Sequence, residues 1–186
     1  MDRKIKIMIG STVYGFENEL YQIAALLQTL GYEVINSHIG TIKVNPKLSN
    51  LENCLNAVED CDLFLGIIRP YYGTGIIGGK NITFEEMKKA IELKKPYWFL
   101  VHRDVVFAKK LFGKIRNSND IEVLRNNFFD RRCIEIYDYV IKNHVPITLR
   151  NGNWAQEFYR LDELSIYIKT QFEDRTFIEN ILAKED

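Results

Sequence analysis

The stretch from Asp62 to Glu86 reads DLFLGIIRPYYGTGIIGGKNITFEE. It opens with Leu63-Phe64-Leu65-Gly66-Ile67-Ile68, an apolar run rich in β-branched and aromatic residues. A run this short and this uniformly apolar predicts a strand buried on both faces, as in a parallel sheet covered by helices. The chain then turns polar and glycine-rich from Arg69 to Gly79, and a helical pattern begins at Thr83. A buried strand thus ends in a loop carrying a cation, two phenols and backbone donors, with Glu86 one turn into the next helix. In open α/β sheets ligands bind outside the carboxyl ends of the strands, which makes this loop the first place to look for a site.

The same alternation extends to both sides. Ile5–Ile9 (IKIMI) reads as a first buried strand, followed by a helix over about Phe16–Leu30 that Gly31 stops. Val34–Ile39 is a second strand. Ser49 and Glu52 have the spacing of a capping box, opening a helix that ends near Cys61. Thr83–Leu93 is a third helix; Lys94-Lys95 complements its dipole and Pro96 forbids its continuation. Tyr97–Val101 is a fourth strand. Residues from Asp104 to about His144 read as mostly helical, in the pieces VVFAKKLFGKI, IEVLRNNFF and CIEIYDYVI, with a break at Asn117-Ser118-Asn119-Asp120. Trp154–Tyr159 fits a fifth strand or a helix. Asp162 caps a helix with Leu164, Ile168 and Phe172 on one side, and Asp174–Ala183 continues it or starts another.

Strands alternating with helices predict a three-layer, doubly wound parallel sheet of five strands in the flavodoxin-like order 2-1-3-4-5. The segment near 104–145 is an extra helical piece, either a hairpin on the sheet edge or an oligomerisation surface. Phe107, Leu111, Phe112, Leu124, Phe128 and Phe129 supply its apolar side, with core packing as the plainer reading. At 186 residues the chain is expected to form one domain.

A formal net charge of zero argues against a nucleic-acid surface or an anionic membrane partner. No apolar run approaches the ~20 residues of a spanning helix, and Met1-Asp2-Arg3-Lys4 leads directly into a strand pattern instead of a signal peptide. The cysteines, Cys54, Cys61 and Cys133, are odd in number and have no CxxC spacing, which reads as reduced, buried thiols in a cytoplasmic protein. His38, His102 and His144 are isolated, so no metal site is expected. No cofactor is expected either; GxGxxG is absent, and Gly10-S-T-V-Y-Gly15 lacks a phosphate-loop lysine, which argues against a P-loop hydrolase, while no G-x-S-x-G elbow offers a serine nucleophile.

The switch point of a 2-1-3-4-5 sheet lies between the first and third strands, whose ends carry Ser11-Thr12 and Arg69–Gly73. Ser11 and Thr12 either donate to a phosphate or ribose, or satisfy their own turn. Arg69 either clamps an anion or pairs with a helix carboxylate. Tyr71 and Tyr72 either stack on a base or cover the core. Gly73, with Gly75, Gly78 and Gly79, gives a loop that closes over a ligand or simply crosses the surface. Thr83 and Glu86 have T-x-x-E spacing, a second capping box that by itself accounts for the carboxylate. The functional alternative makes Glu86 a catalytic carboxylate that binds ribose hydroxyls and stabilises an oxocarbenium-like centre.

The runs IKIMIGSTVYGFENE, LENCLNAVEDCDLFLGIIRPYYG and ITFEEMKKAIELKKPYWFLV resemble a mostly bacterial family, the domain of unknown function DUF4062. The shared features are Cys61-Asp62 before the third strand, Tyr72-Gly73 after it, and Thr83-x-x-Glu86. The likeness covers residues 4–102 well and the remainder loosely. Gly10 stands where the family pattern has a first serine, Arg69-Pro70 where it often has Gly-x-Arg, and Met87 where an aromatic is common. The family looks like a distant relative of TIR domains and nucleoside 2-deoxyribosyltransferases. The resemblance implies a nucleotide or nucleoside ligand, NAD included, and places Glu86 where many enzymatic members carry the carboxylate that acts on an N-glycosidic bond. Two functions follow from it. One is an enzyme cleaving NAD or a nucleoside. The other is a non-catalytic nucleotide sensor or self-associating adaptor, a homo-oligomer in prokaryotic signalling or antiphage defence.

Overall fold

The computed structural model describes residues 3–114, 129–152 and 154–183. Five strands form one parallel sheet: β1 (Lys6–Ser11), β2 (Glu33–Ile35), β3 (Leu63–Ile68), β6 (Tyr97–His102) and β7 (Ala155–Phe158), in the order β2-β1-β3-β6-β7. Counted within the sheet this is the expected 2-1-3-4-5. The helices between are α1 (Glu17–Thr29), α2 (Asn50–Asp60), α3 (Ile82–Glu92) and α4 (Arg103–Lys114), followed by α5 (Arg132–Val140), α6 (Leu161–Phe172) and α7 (Arg175–Leu182).

The pleat sorts each central strand between two cores. Ile7 and Ile9 of β1 and Leu63, Leu65 and Ile67 of β3 pack with α1, α6 and α7. Met8, Phe64 and Ile68 point to the other face, where Val58 of α2, Met87 and Ala90 of α3, Val105 of α4 and Ile136 of α5 cover them. Gly10 and Gly66 are register partners on that second face. A Cβ at Gly10 would lie 2.6 Å from the Phe64 ring, and one at Gly66 would lie 2.4 Å from Phe99. Two aromatic rings therefore fill the space that side chains would otherwise occupy.

Several boundaries differ from expectation for local reasons. β2 stops at Ile35 because Asn36 turns the chain: its Oδ1 accepts the His38 and Ile39 N–H groups, and its Nδ2 donates to the Ile9 carbonyl. The Ser49–Glu52 capping box forms as read, with Glu52 N donating to Ser49 Oγ at 3.2 Å and Ser49 N donating to Glu52 Oε2 at 2.7 Å. Lys95 reaches the carbonyls of Glu59 and Cys61 at the end of α2, instead of serving its own helix. Asp162 lies inside the first turn of α6, where it pairs with Arg160, and the Glu163 carboxylate accepts the preceding Tyr159 N–H instead. Asp174 starts a separate helix by accepting from Phe177 N.

In the extra helical segment α4 and α5 pack on the second core, but α4 buries Val105, Val106 and Ala108 while Phe107 and Leu111 are exposed. The break at 117–120, the piece 121–128, Leu124 and Phe128 lie outside the described residues. The glycine-rich loop is also more ordered than expected. β4 (Ile76–Ile77) pairs antiparallel with β5 (Lys80–Asn81) through Gly78-Gly79, both at positive φ, the backbone a two-residue hairpin requires.

Candidate functional site

α3 begins two residues earlier than the T-x-x-E spacing suggests. Its cap is Asn81, whose Oδ1 accepts the Phe84 N–H at 2.9 Å. Thr83 therefore lies inside the first turn, and Glu86 lies too deep in the helix to serve its N-terminus. The capping explanation of Glu86 does not apply. Glu86 is 4% exposed, its carboxyl approaches the bare Cα of Gly10, and Cys54 of α2 lines the same cavity wall. A Cβ on Gly10 would stand 3.4 Å from Glu86 Oε2. Among the described residues no cation pairs with this carboxyl. Burial pushes it up to about 7, and the nearby Cys54 thiol opposes the shift only partly. Its neighbour Glu85 behaves differently, turning outward to Lys88 at 2.8 Å.

A cavity of about 470 Å³ opens above this carboxyl. Its walls come from the end of β1 and the loop beyond (Ser11, Thr12, Tyr14), the loop after β2 (Ser37, Ile42), α2 (Asn53, Cys54), the loop after β3 (Gly73, Thr74) and α3 (Thr83, Glu86). Among the described residues the lining contains no lysine or arginine; its polar groups are hydroxyls, amides and one carboxyl. Thr12 is buried, and its Oγ1 has no hydrogen-bond partner among the described residues. An orphaned buried hydroxyl in a cavity wall is a ready contact for a ligand. Gly73 has φ +83, and a Cβ there would lie 3.1 Å from Thr12 Cγ2, so only glycine brings the third-strand loop this close to the first.

Of the residues singled out in the sequence, Ser11, Thr12, Gly73, Thr83 and Glu86 come together around this cavity, while Arg69, Tyr71 and Tyr72 do not line it. Arg69 is buried, and its guanidinium donates to the carbonyls of Thr12 (3.1 Å), Tyr14 (2.9 Å) and Gly15 (3.1 Å). It lies over Phe16 and beneath Tyr71, at 4.3 and 5.2 Å from the ring centroids. It is thus the clamp of the β1–α1 turn, neither an anion clamp facing the cavity nor the partner of a helix carboxylate. Tyr71 is half exposed beside Tyr14, and Tyr72 stacks on the Arg132 guanidinium at 3.9 Å. His102 also stays away, packing on Phe158 and Tyr159.

Sequence reading missed Cys54, Asn53 and the rim residue Tyr14 as parts of the wall, whereas Asn81, one of the two caps it weighed with Thr83, is the cap in use. All three wall residues depend on which elements meet at the cavity, which local spacing does not show. Among the described residues no helix is long and apolar enough to cross a membrane, and no three His, Cys, Asp or Glu side chains gather as a metal site. The three thiols are free and buried.

The sheet order, the crossovers and a cavity at the β1/β3 switch point define a flavodoxin-like α/β protein. The chain belongs to the family described as domain of unknown function DUF4062, whose model matches residues 6–151. Its fold is similar to that of a CMP N-glycosidase, BcmB, from Clostridium botulinum, with a TM-score of 0.50 at 14% identity over 89% of this chain and 98% of that one. A 2-desoxiribosyltransferase from Leishmania mexicana also matches, with a TM-score of 0.38 at 17% identity over 53% of this chain and 65% of that one. No curated protein matches the sequence.

Proposed function

We propose that the chain binds a nucleoside or nucleotide in the cavity between the ends of β1 and β3 and breaks its N-glycosidic bond with the help of Glu86. The observation that carries this reading is Glu86 itself: a buried carboxyl in a cavity wall, free of any cap or cation, and poised at about 7. A carboxyl strongly perturbed by burial in a cleft is a candidate functional group. The likeness to the fold of a CMP N-glycosidase supports the same direction.

In this reading the C1′–N bond breaks with its electron pair leaving on the base. Positive charge develops over C1′ and the ring oxygen, and the Glu86 carboxylate stabilises it in a water-poor site. Water adds to C1′ and its proton leaves toward the carboxylate; the departing base of a nucleoside takes up a proton from solvent, whereas nicotinamide leaves neutral, so the products are the free base and the sugar. A group near pH 7 is matched to this exchange, because both of its forms are populated at neutral pH. Thr12, Ser11 and Thr83 offer hydroxyls to the sugar or base. The neutral lining favours the nucleoside part as the recognised portion over an extended chain of phosphates.

The test is to incubate the protein with ribo- and deoxynucleosides, their 5′-monophosphates including CMP, and NAD, and to separate the products by chromatography. Release of a free base or nicotinamide supports the reading. Stoichiometric binding without release, by calorimetry on the same panel, would instead identify a nucleotide sensor.

A further inference from the structure

We propose that α5 is a brace for the cavity wall: Arg132 and Tyr139, on one face of that helix, are positioning residues that hold the loop after β3 and the first turn of α3 where they shape the cavity. The brace is independent of the ligand. Its consequence for binding rests on the reading of the cavity as a nucleoside site.

This part of the wall is one unit with two ends. At one end Tyr72 leads into Gly73, Thr74 and Gly75; at the other Asn81, Ile82 and Thr83 open α3, and both runs of three line the cavity. Two hydrogen bonds close the unit. Asn81 Nδ2 donates to the Tyr72 carbonyl at 2.6 Å, and Ile82 N donates to the Gly75 carbonyl at 2.9 Å. α5 touches both ends. The Arg132 guanidinium lies over the Tyr72 ring, 3.9 Å from its centroid. The Tyr139 ring meets Phe84 of α3 edge to face, with centroids 5.5 Å apart. Phe84 is the residue whose N–H the Asn81 cap accepts. Positions 132 and 139 lie about two turns apart on the same side of a helix, so a single face makes both contacts.

The brace is itself held. Asp130 takes the Arg132 guanidinium on both carboxylate oxygens, Nε to Oδ1 at 2.9 Å and Nη2 to Oδ2 at 2.6 Å. A planar guanidinium paired at its edge keeps its face for the ring. Cys133, Ile136 and Val140 seat the helix in the second core. The loop has less to seat it. Gly73 and Gly75 bring no side chain, and Tyr71 is half exposed, so Tyr72 is the side chain that packs inward against the second core. What holds the Tyr72 ring therefore holds the loop. The loop in turn sets the gap between the two strand ends, since a Cβ on Gly73 would lie 3.1 Å from Thr12 Cγ2. One helix of the extra segment thus serves the site.

The experiment is amide hydrogen exchange by NMR on the full chain, reading the Ile82 and Phe84 N–H groups against the amides of β3. Arg132→Ala and Tyr139→Ala should each speed exchange at Ile82 and Phe84 by roughly two- to tenfold and leave the β3 amides at their wild-type rates. Tyr139→Phe and Tyr72→Phe keep the rings and should exchange as wild type does. Tyr72→Leu should behave like Arg132→Ala, and it carries the test if that variant fails to fold. Unchanged exchange at Ile82 and Phe84 would overturn the proposal, and so would an equal acceleration of the β3 amides, which marks a general loss of stability. Calorimetry with CMP and cytidine adds a readout of the site. Whichever binds wild type should bind Arg132→Ala at least twofold more weakly and Tyr139→Phe with equal affinity. Equal affinity in Arg132→Ala despite loosened amides would overturn the role in the site. Wild type that binds neither probe counts against the nucleoside reading, and the exchange rates still decide the brace.

Discussion

Asn81 accepts the Phe84 N–H through Oδ1 at 2.9 Å and donates through Nδ2 to the Tyr72 carbonyl at 2.6 Å. One buried amide thus caps α3 and ties it to the loop after β3. The helix that carries Glu86 and the loop that carries Gly73 are held as one piece, which keeps the cavity's two walls in register.

Asn81→Ala is expected to lower stability by about 1 kcal/mol for the lost cap, and by somewhat more for the orphaned Tyr72 carbonyl. Chemical denaturation measures the loss. Asn81→Asp keeps the acceptor and should recover the cap portion only.

Arg69→Met retains the apolar stem and leaves the carbonyls of Thr12, Tyr14 and Gly15 without their donor. Stability should fall by roughly 2–4 kcal/mol, since each buried carbonyl left unpaired has its own desolvation cost. Ligand affinity should fall as well, because Thr12 is one of the residues held. A denaturation curve unchanged from wild type would show that the clamp is not needed.

Gly10→Ala should destabilise by about 1–3 kcal/mol, as a Cβ 2.6 Å from the Phe64 ring forces that ring or the strand to move. The same Cβ crowds the Glu86 carboxyl, so the variant should also shift the Glu86 titration, readable by carbon-13 NMR of protein labelled at the glutamate carboxyls.

Glu86 makes stability depend on pH in a direction opposite to that of most carboxylates. Its folded value is raised from 4.5 to about 7, so the native state holds a proton that the unfolded chain releases. Stability is therefore fully present below 4.5, declines as pH rises toward 7, and stays reduced above it, by about 3 kcal/mol at most. Glu86→Gln, neutral and of equal length, should match wild type near pH 4.5 and exceed it in melting temperature at pH 8. A capping carboxylate would have given the reverse, a loss of stability on neutralisation. Thermal melts of both proteins from pH 4.5 to 8.5 separate the two.

The sheet was legible because its central strands are uniformly apolar: IKIMI, LFLGII and YWFLV read as buried strands, and β1, β3 and β6 appear within a residue or two of them. The place of the candidate cavity was legible for the same reason, as it follows from strand order. Individual roles were less so. Arg69 looked like an anion clamp because sequence does not show which way a loop side chain folds, and here three nearby carbonyls take its donors. T-x-x-E looked like a capping box because Asn81, two residues earlier, competes for the same N-terminus and wins through its second bond to Tyr72. Cys54 resembled an ordinary buried hydrophobe, since nothing in local spacing shows that it lines the cavity with Glu86.

The central claim is that Glu86 acts on an N-glycosidic bond. The most direct measurement compares base release by wild type and Glu86→Gln, at equal concentration of folded protein, on whichever nucleoside or nucleotide of the panel is cleaved. The expected result is a fall of roughly two orders of magnitude or more, with a folded, ligand-binding variant. Equal rates for the two proteins would contradict the account.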